Sequence, residues 1–396
     1  MAAWAPGRTL AMNGNEVVAY AVKQCNVDVV AAYPITPQTI IVEAFSTYVA
    51  DGLVDTRFIC VESEHSAMSA CIGASLMGAR VFTATSSQGL ALMHEALYAA
   101  SGLRCPIVMA VVNRALSAPI NIHCDHSDMM GSRDCGWVQI FVENVQEAYD
   151  FTIQSFRIAE HPDVLLPVAV NLDGFTISHC VENFITLTDE EVLGFIQPKR
   201  STPVYWLNPD KPITVGALTL PDYYYEVKRQ QVEAMENAYR VFLDTVRRFA
   251  DLTGRRYNPI EVWGSDDADA AIILLGSTVG LMRSIASRYD GRIKIVFPRL
   301  FRPFPSEDLK RVLEDVKVAA VMDRAIAFGA PLNPLASSVA STILLEGLDT
   351  KLVNFVYGLG GRDLKLSEAE YIANYTLKAA ETGVIDKPVS FIGVRE

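Results

Sequence analysis

The sequence predicts an α/β protein: a parallel sheet covered by helices, followed by a second, smaller α/β domain. Short, continuous apolar runs alternate with helical patterns as far as Val170, the signature of strands buried on both faces. The alternation lapses over 181–223 and restarts beyond Gly254. Half of the 396 residues are hydrophobic and only 20% are charged, enough apolar material to cover two such sheets.

In chain order, Asp28–Tyr33 reads as a strand and 38–50 as a helix. Arg57–Val61 is strand-like and leads into a helical 64–78, whose small residues Ala67, Ala70, Gly73 and Ala74 allow close packing. Arg80–Ala84 precedes a helical 88–101, and Pro106–Val112 is the most apolar strand. A helical 145–160 leads to the strand 165–170. Residues 181–223 mix Pro, Asp and aromatics without a clear period, and a charged helix over 224–250 runs up to Gly254. Strands then recur at 270–275, 293–297, 318–322 and 351–356, with helices starting near 279, 306 and 334.

Composition excludes several classes. A net charge of −12 argues against nucleic acid, whose affinity depends on neutralising phosphates with Lys and Arg. The low charged fraction predicts apolar surface hidden in subunit contacts. Met1–Arg8 lacks a signal-peptide core, and no run of 18 apolar residues marks a membrane span. The seven cysteines are scattered with no C-x-x-C pair, so they read as reduced thiols of a cytoplasmic protein and not as cluster ligands.

Candidate chemistry sits where strands give way to helices, because ligands of open α/β sheets bind outside the carboxyl ends of strands. Glu64 opens a helix there. It reads either as favourable helix-start charge or as a carboxylate tuned by a dry cleft. Arg114 follows the most apolar strand and is flanked by apolar residues, which points to an anionic partner suited to its planar fork. Thr36, between Ile35 and Pro37, either caps a helix or contacts ligand. The His123-Cys124-Asp125-His126 run lacks a usual zinc spacing, so no metal is expected and the stretch through Asp128 reads as a polar loop. The glycines at 358–361 and the pair Gly73 and Gly78 match no phosphate-binding motif.

Several segments carry a family resemblance. Ala31–Pro37 (AAYPITP), Val61–Ala70 (VESEHSAMSA), Phe82–Leu90 (FTATSSQGL), Met109–Ala115 (MAVVNRA) and Leu172–Phe175 (LDGF) resemble the alpha subunits of thiamine-diphosphate-dependent pyruvate:ferredoxin and other 2-oxoacid:acceptor oxidoreductases. Arg299–Phe304, Val321–Arg324 and Tyr357–Gly360 are similar to that family's second domain. The resemblance implies a pyrimidine-type thiamine-diphosphate domain over 1–250, including a connecting segment 181–250, and a transketolase-C-terminal-like domain over 255–396. It implies that Glu64 hydrogen-bonds the pyrimidine ring nitrogen, with Tyr33, Pro34 and Gln88 as further cofactor contacts. Arg114 would hold the 2-oxoacid carboxylate and Thr36 would hydrogen-bond the substrate.

The family's reaction is a decarboxylation that sends electrons to iron–sulfur clusters and the acyl group to coenzyme A. No Gly-Asp-Gly with its following Asn-type ligands is present for the Mg2+ that anchors the diphosphate; Leu172-Asp-Gly-Phe175 is a partial look-alike. The chain therefore reads as half a site. Beta, gamma and delta subunits are expected to supply Mg2+, [4Fe-4S] clusters and the path to ferredoxin or another acceptor. Pyruvate is the first-choice substrate. Pyruvate enzymes usually read Asn-Ile-Trp-Asn-Asp-His after the arginine, where this chain has Asn121-Ile-His-Cys-Asp-His126. His123 and Cys124 are therefore expected to line the substrate pocket and to widen it, which leaves a bulkier or aromatic 2-oxoacid such as phenylglyoxylate as an alternative. A transketolase or 2-oxoacid-dehydrogenase-type subunit and a non-catalytic scaffold subunit are the remaining readings.

Overall fold

The computed structural model describes residues 8–196 and 209–395; the expectation for the first residues and part of the irregular 181–223 stretch lie outside the described residues. The chain opens with β1 (Thr9–Asn13) and α1 (Gly14–Gln24). It continues through β2 (Val29–Ala32), α2 (Thr39–Ala50), β3 (Arg57–Cys60), α3 (Glu64–Leu76) and β4 (Val81–Thr85). Next come α4 (Ser87–Leu92), α5 (His94–Gly102), β5 (Ile107–Asn113), α6 (Ser127–Gly131), β6 (Val138–Phe141), α7 (Val145–Ala159) and β7 (Val168–Asp173). β8 (Val181–Ile185), α8 (Asp189–Ile196) and the long α9 (Pro221–Thr253) lead to the second half. There the order is β9 (Ile260–Trp263), β10 (Ala270–Ile273), α10 (Thr278–Ala286), β11 (Ile293–Pro298), β12 (Leu300–Arg302), α11 (Ser306–Leu313) and β13 (Val318–Asp323). α12 (Pro334–Leu345), β14 (Lys351–Val356), α13 (Leu366–Thr382) and β15 (Val389–Phe391) close the chain.

The α/β class expected from the sequence is the one found. A seven-stranded sheet has the order β12-β6-β7-β5-β4-β2-β3, and a six-stranded sheet the order β15-β14-β13-β10-β11-β9. Within the first sheet only β12 runs antiparallel to its neighbour, and within the second only β9 does. β5 and β7 are buried at every position, as their continuous apolar runs require. After β2 the chain first adds β3 on one side and then crosses to add β4 on the other. Such a reversal leaves a crevice at the carboxyl ends of the two strands.

Two apolar cores flank the first sheet. One packs α1, α2, α7 and α9 on one face; the other packs α3, α4 and α5 on the opposite face and continues into the second sheet. Local signals explain the helix ends. Asn13 and Glu16 cap the start of α1 reciprocally, Ser63 accepts from Ser66 N–H at the start of α3, and left-handed Gly254 (φ 75°) stops α9.

The expected helix over 88–101 is two helices, α4 and α5, meeting at buried Met93. The irregular 181–223 stretch contains β8 and α8. β8 pairs antiparallel with β1 in a separate two-stranded ribbon, far from its partner in sequence. The Leu300–Arg302 segment leaves the second half of the chain and forms the edge of the first sheet, with Leu300 opposite Ile140. Beside it, fully buried Arg299 donates to Glu147 of α7 at 2.5 Å and to Glu261 of β9 at 2.9 Å, tying the two halves together.

Candidate active site

The crevice is built by four consecutive strand ends. Each carries one of the residues singled out from sequence: Thr36 after β2, Glu64 after β3, Gln88 after β4 and Arg114 after β5. Tyr33, Pro34 and Thr36 lie exposed on the rim, while Glu64 and Arg114 are each only 6% exposed. Gln38, which sequence reasoning passed over, straps the rim down by donating to Ala84 O (2.8 Å) and accepting from Ile35 N–H (3.2 Å).

Glu64 is the first residue of α3, where the helix dipole favours its charge. Its carboxylate accepts no hydrogen bond from the described residues, which is unusual for a buried charge. It lies against Gly89: a Cβ at that position would come within 2.7 Å of Glu64 Oε1 and 2.6 Å of Thr85 Oγ1. Glycine is therefore needed there to leave room for the carboxylate. On the same β4 end, Thr85 Oγ1, Ser86 Oγ and Gln88 Nε2 are buried without a partner among the described residues. Orphaned polar atoms beside an uncompensated carboxylate form a polar cradle, and a flat heterocycle with donors and acceptors on its edge would satisfy it.

Arg114 is held by main chain. Its Nε donates to Asn121 O and its Nη1 to Thr36 O, both at 2.8 Å. No protein group among the described residues accepts from Nη2, which leaves one edge of the guanidinium for an anion. Its own backbone N–H donates to Asp128 Oδ2 at 2.9 Å. Asp128 also receives Ser87 N–H, Asn113 Nδ2 and Met129 N–H. Burial raises its carboxyl to about 6 despite these bonds.

The loop after Arg114 is clasped by the second half of the chain. Asn121 Nδ2 donates to Gly360 O at 3.0 Å, and Gly360 N–H donates to Asp125 Oδ2 at 3.1 Å. His123 and Cys124 follow in the same loop, where His123 O accepts from Ala115 N–H at 3.0 Å. They line a cavity of about 520 Å³ between the two halves, together with Phe175, Ser277, Arg324 and Arg362. Neither Glu64 nor Arg114 lines that cavity. The His123 ring packs on Phe175 at 5.1 Å, and the Cys124 thiol is buried beside His126 and Asp173.

Cys124, His126 and Asp173 bring metal-ligand atoms within 4.8 Å of one another. Their charge is already balanced. Asp173 accepts from His126 Nε2 (2.8 Å), Arg324 Nη1 (2.9 Å), and Ser277 N–H (3.0 Å) and Oγ (2.6 Å). Burial pushes the Asp173 carboxyl up, but His126 and Arg324 outweigh it and hold it well below the usual carboxylate range. A dication there would face the Arg324 guanidinium, so the cluster reads as an ion-pair network between the halves. Asp128, Asp173 and Arg324 carry no local sequence signal for these roles, because their partners are distant in the chain.

Residues 20–246 match the family described as pyruvate flavodoxin/ferredoxin oxidoreductase, thiamine diP-binding, and residues 268–369 match pyruvate:ferredoxin oxidoreductase core domain II. The chain is 49% identical to pyruvate synthase subunit PorA of Thermotoga maritima, covering 98% of each chain. It is 42% identical to ketoisovalerate oxidoreductase subunit VorA of Pyrococcus abyssi, covering 96% of each. In fold it resembles the 2-oxoglutarate:ferredoxin oxidoreductase of Magnetococcus marinus, with a TM-score of 0.72 at 20% identity. That match covers 93% of this chain and 65% of the other.

Proposed function

Because the chain belongs to the pyruvate flavodoxin/ferredoxin oxidoreductase family, we propose that it is the alpha subunit of a 2-oxoacid:ferredoxin oxidoreductase acting on pyruvate. The observation that carries the site reading is Glu64, a buried carboxylate without a hydrogen-bond partner among the described residues, set against Gly89 and the unpartnered Thr85 Oγ1. That cradle fits the pyrimidine of thiamine diphosphate. When bound, thiamine diphosphate supplies the chemistry that breaks the bond to the carboxylate of a 2-oxoacid. Glu64 holds the hydrogen bond to the pyrimidine ring nitrogen. Thr85, Ser86 and Gln88 offer unpaired polar atoms to its edge, and Tyr33 and Pro34 wall the rim.

Arg114 turns its free Nη2 edge toward the substrate carboxylate, and Thr36 offers its hydroxyl at the mouth. Pyruvate is assigned on the likeness to pyruvate synthase. His123 and Cys124 act on the interdomain cavity in this reading, so their departure from the usual Trp and Asn carries no argument for a bulkier substrate.

The diphosphate, Mg2+ and [4Fe-4S] clusters belong to partner subunits, as the beta, gamma and delta division implies. Coenzyme A takes the acyl group, and ferredoxin takes the electrons. The word "subunit" in the names of the relatives supports the division of labour. Residues 1–250 form the pyrimidine-binding domain and 255–396 the second domain, a division supported by the two family matches. No helix among the described residues is long and apolar enough to cross a membrane. The seven free thiols support a reducing compartment, which we take to be the cytoplasm.

Titration of thiamine diphosphate into the isolated chain and into the assembled complex tests the half-site. Weak or no binding is expected from the chain alone and tight binding from the complex. Tight, stoichiometric binding by the chain alone would refute the shared site. Arg114→Lys should raise the KM for every 2-oxoacid about 10- to 100-fold, the value of a charge-assisted bond that an ammonium cannot reproduce in fork geometry. An unchanged KM would remove Arg114 from the substrate.

A further inference from the structure

We propose that Asp128 is a positioning residue that bolts the loop facing Glu64 to the strand end carrying Arg114, so that one carboxylate sets the geometry of both the cofactor side and the substrate side of the site. The proposal rests on the reading of Glu64 and Arg114 given above. Asp128 is 3% exposed and takes four donors, two on each oxygen. Oδ2 accepts from Ser87 N–H at 3.0 Å and from Arg114 N–H at 2.9 Å, so a single oxygen joins two separate strand ends. Oδ1 accepts from Asn113 Nδ2 at 2.9 Å and from Met129 N–H at 2.8 Å, which fixes the plane of the group.

What Asp128 holds on the cofactor side is a strained turn. Ser87 has φ 48°, a left-handed conformation costly for a residue with a side chain, and it immediately precedes Gln88 and Gly89. The bond from its N–H keeps this turn closed, and Ser87 Oγ donates across to Ala115 O at 2.5 Å, beside Arg114. On the substrate side, Asp128 touches the main chain of Arg114 and not its guanidinium, so it acts by placing the residue.

The bolt is itself anchored from the second half of the chain. His126 N–H donates to Arg324 O at 2.8 Å, and Asp125 accepts from Gly360 N–H. Burial makes the charged form of Asp128 costly, yet only a carboxylate presents two oxygens to four donors. An amide of the same shape presents one. In either orientation its NH2 would face two donors, leaving Ser87 and Arg114, or Asn113 and Met129, unpaired.

The test uses the assembled oxidoreductase and the variants Asp128→Asn, Arg114→Lys and the double substitution. Asp323→Asn serves as the control for loss of a buried carboxylate. Asp323 is 2% exposed, is likewise raised to about 6 by burial, and accepts from Leu335 N–H, Ala336 N–H and Asn354 Nδ2. Asp128→Asn should raise both the dissociation constant of thiamine diphosphate and the KM for pyruvate on the order of tenfold, the value of two lost hydrogen bonds. In the double variant the rise in KM should fall short of the product of the single rises, because a misplaced arginine has less to lose.

Asp323→Asn should lower thermal stability and leave both constants unchanged. If Asp128→Asn changes only the melting midpoint, or only one of the two constants, the bolt is overturned. If it fails to assemble, Asn113→Ala, which removes one donor from Oδ1 and leaves both donors on Oδ2 (and also ends the longer bond from Asn113 Nδ2 to Asn171 Oδ1), should raise both constants about threefold, and no rise overturns the proposal equally. Should Arg114→Lys leave KM untouched while the cofactor constant of Asp128→Asn rises, the reading of Arg114 fails, and with it the substrate half of this proposal.

Discussion

Glu64→Gln in the assembled oxidoreductase should leave thiamine diphosphate bound and cut turnover on the order of 100-fold or more, the usual cost of one preorganised electrostatic contact. The side chain keeps its size, so the space beside Gly89 is still filled and the cofactor is still seated. What changes is the sign of the contact: an amide donates where a carboxylate accepts. Burial magnifies the difference, because Glu64 is 6% exposed and no described protein group competes for its oxygens. Turnover at saturating cofactor, read beside cofactor content per complex, separates the two effects. The competing role is a charge at the start of α3, worth about 0.3–1 kcal/mol. In that case the variant would melt slightly earlier and turn over at the wild-type rate.

The second large effect falls on stability. Arg299→Met should cost about 3–5 kcal/mol, the cost of stripping one partner from a buried ion pair. Arg299 is 1% exposed and Glu147 is 4% exposed, so the abandoned carboxylate has little access to water. The loss should depend on pH. Burial and the neighbouring Glu147 already raise Glu143 from 4.5 to about 7, against Arg283 and Arg299, which lower it. A carboxyl whose folded pKa lies above its unfolded value is neutral in both states at low pH. Its penalty grows as pH climbs from the unfolded value toward the folded one, since the unfolded chain ionises first. Removing Arg299 lifts Glu143 further, so the deficit should be larger at pH 8 than at pH 5.5. Denaturant melts of wild type and variant at both values check this. A deficit independent of pH would mean that lost packing on Phe151, Tyr257 and Phe297, not charge, dominates.

Much of this architecture is legible in the sequence. Strands such as β5 and β7 are covered on both faces, so their residues form unbroken apolar runs that stand out between helices. The strand ends are legible too, because a polar group after such a run, as at Glu64 or Arg114, is conspicuous. The ribbon of β1 and β8 is not, since its short, half-exposed strands find each other across most of the first half. Nor is Asp128. Its donors come from 87, 113, 114 and 129, and only the fold assembles them. At His123 and Cys124 the sequence shows a departure from the usual Trp and Asn, but not the cavity these two residues line with Phe175, Ser277 and Arg324, which come from distant parts of the chain.

The edge strand Leu300–Arg302 sets the order of the chain against its division in space. A gene split in the natural-looking gap after Gly254 would strand this piece on the wrong product. The upstream product would present β6 as a bare edge, with unpaired main-chain groups free to template another copy. The downstream product would carry three residues shaped for a sheet it no longer owns. Cutting the chain where its sequence looks most divisible would therefore break a sheet that draws a strand from both sides of the cut.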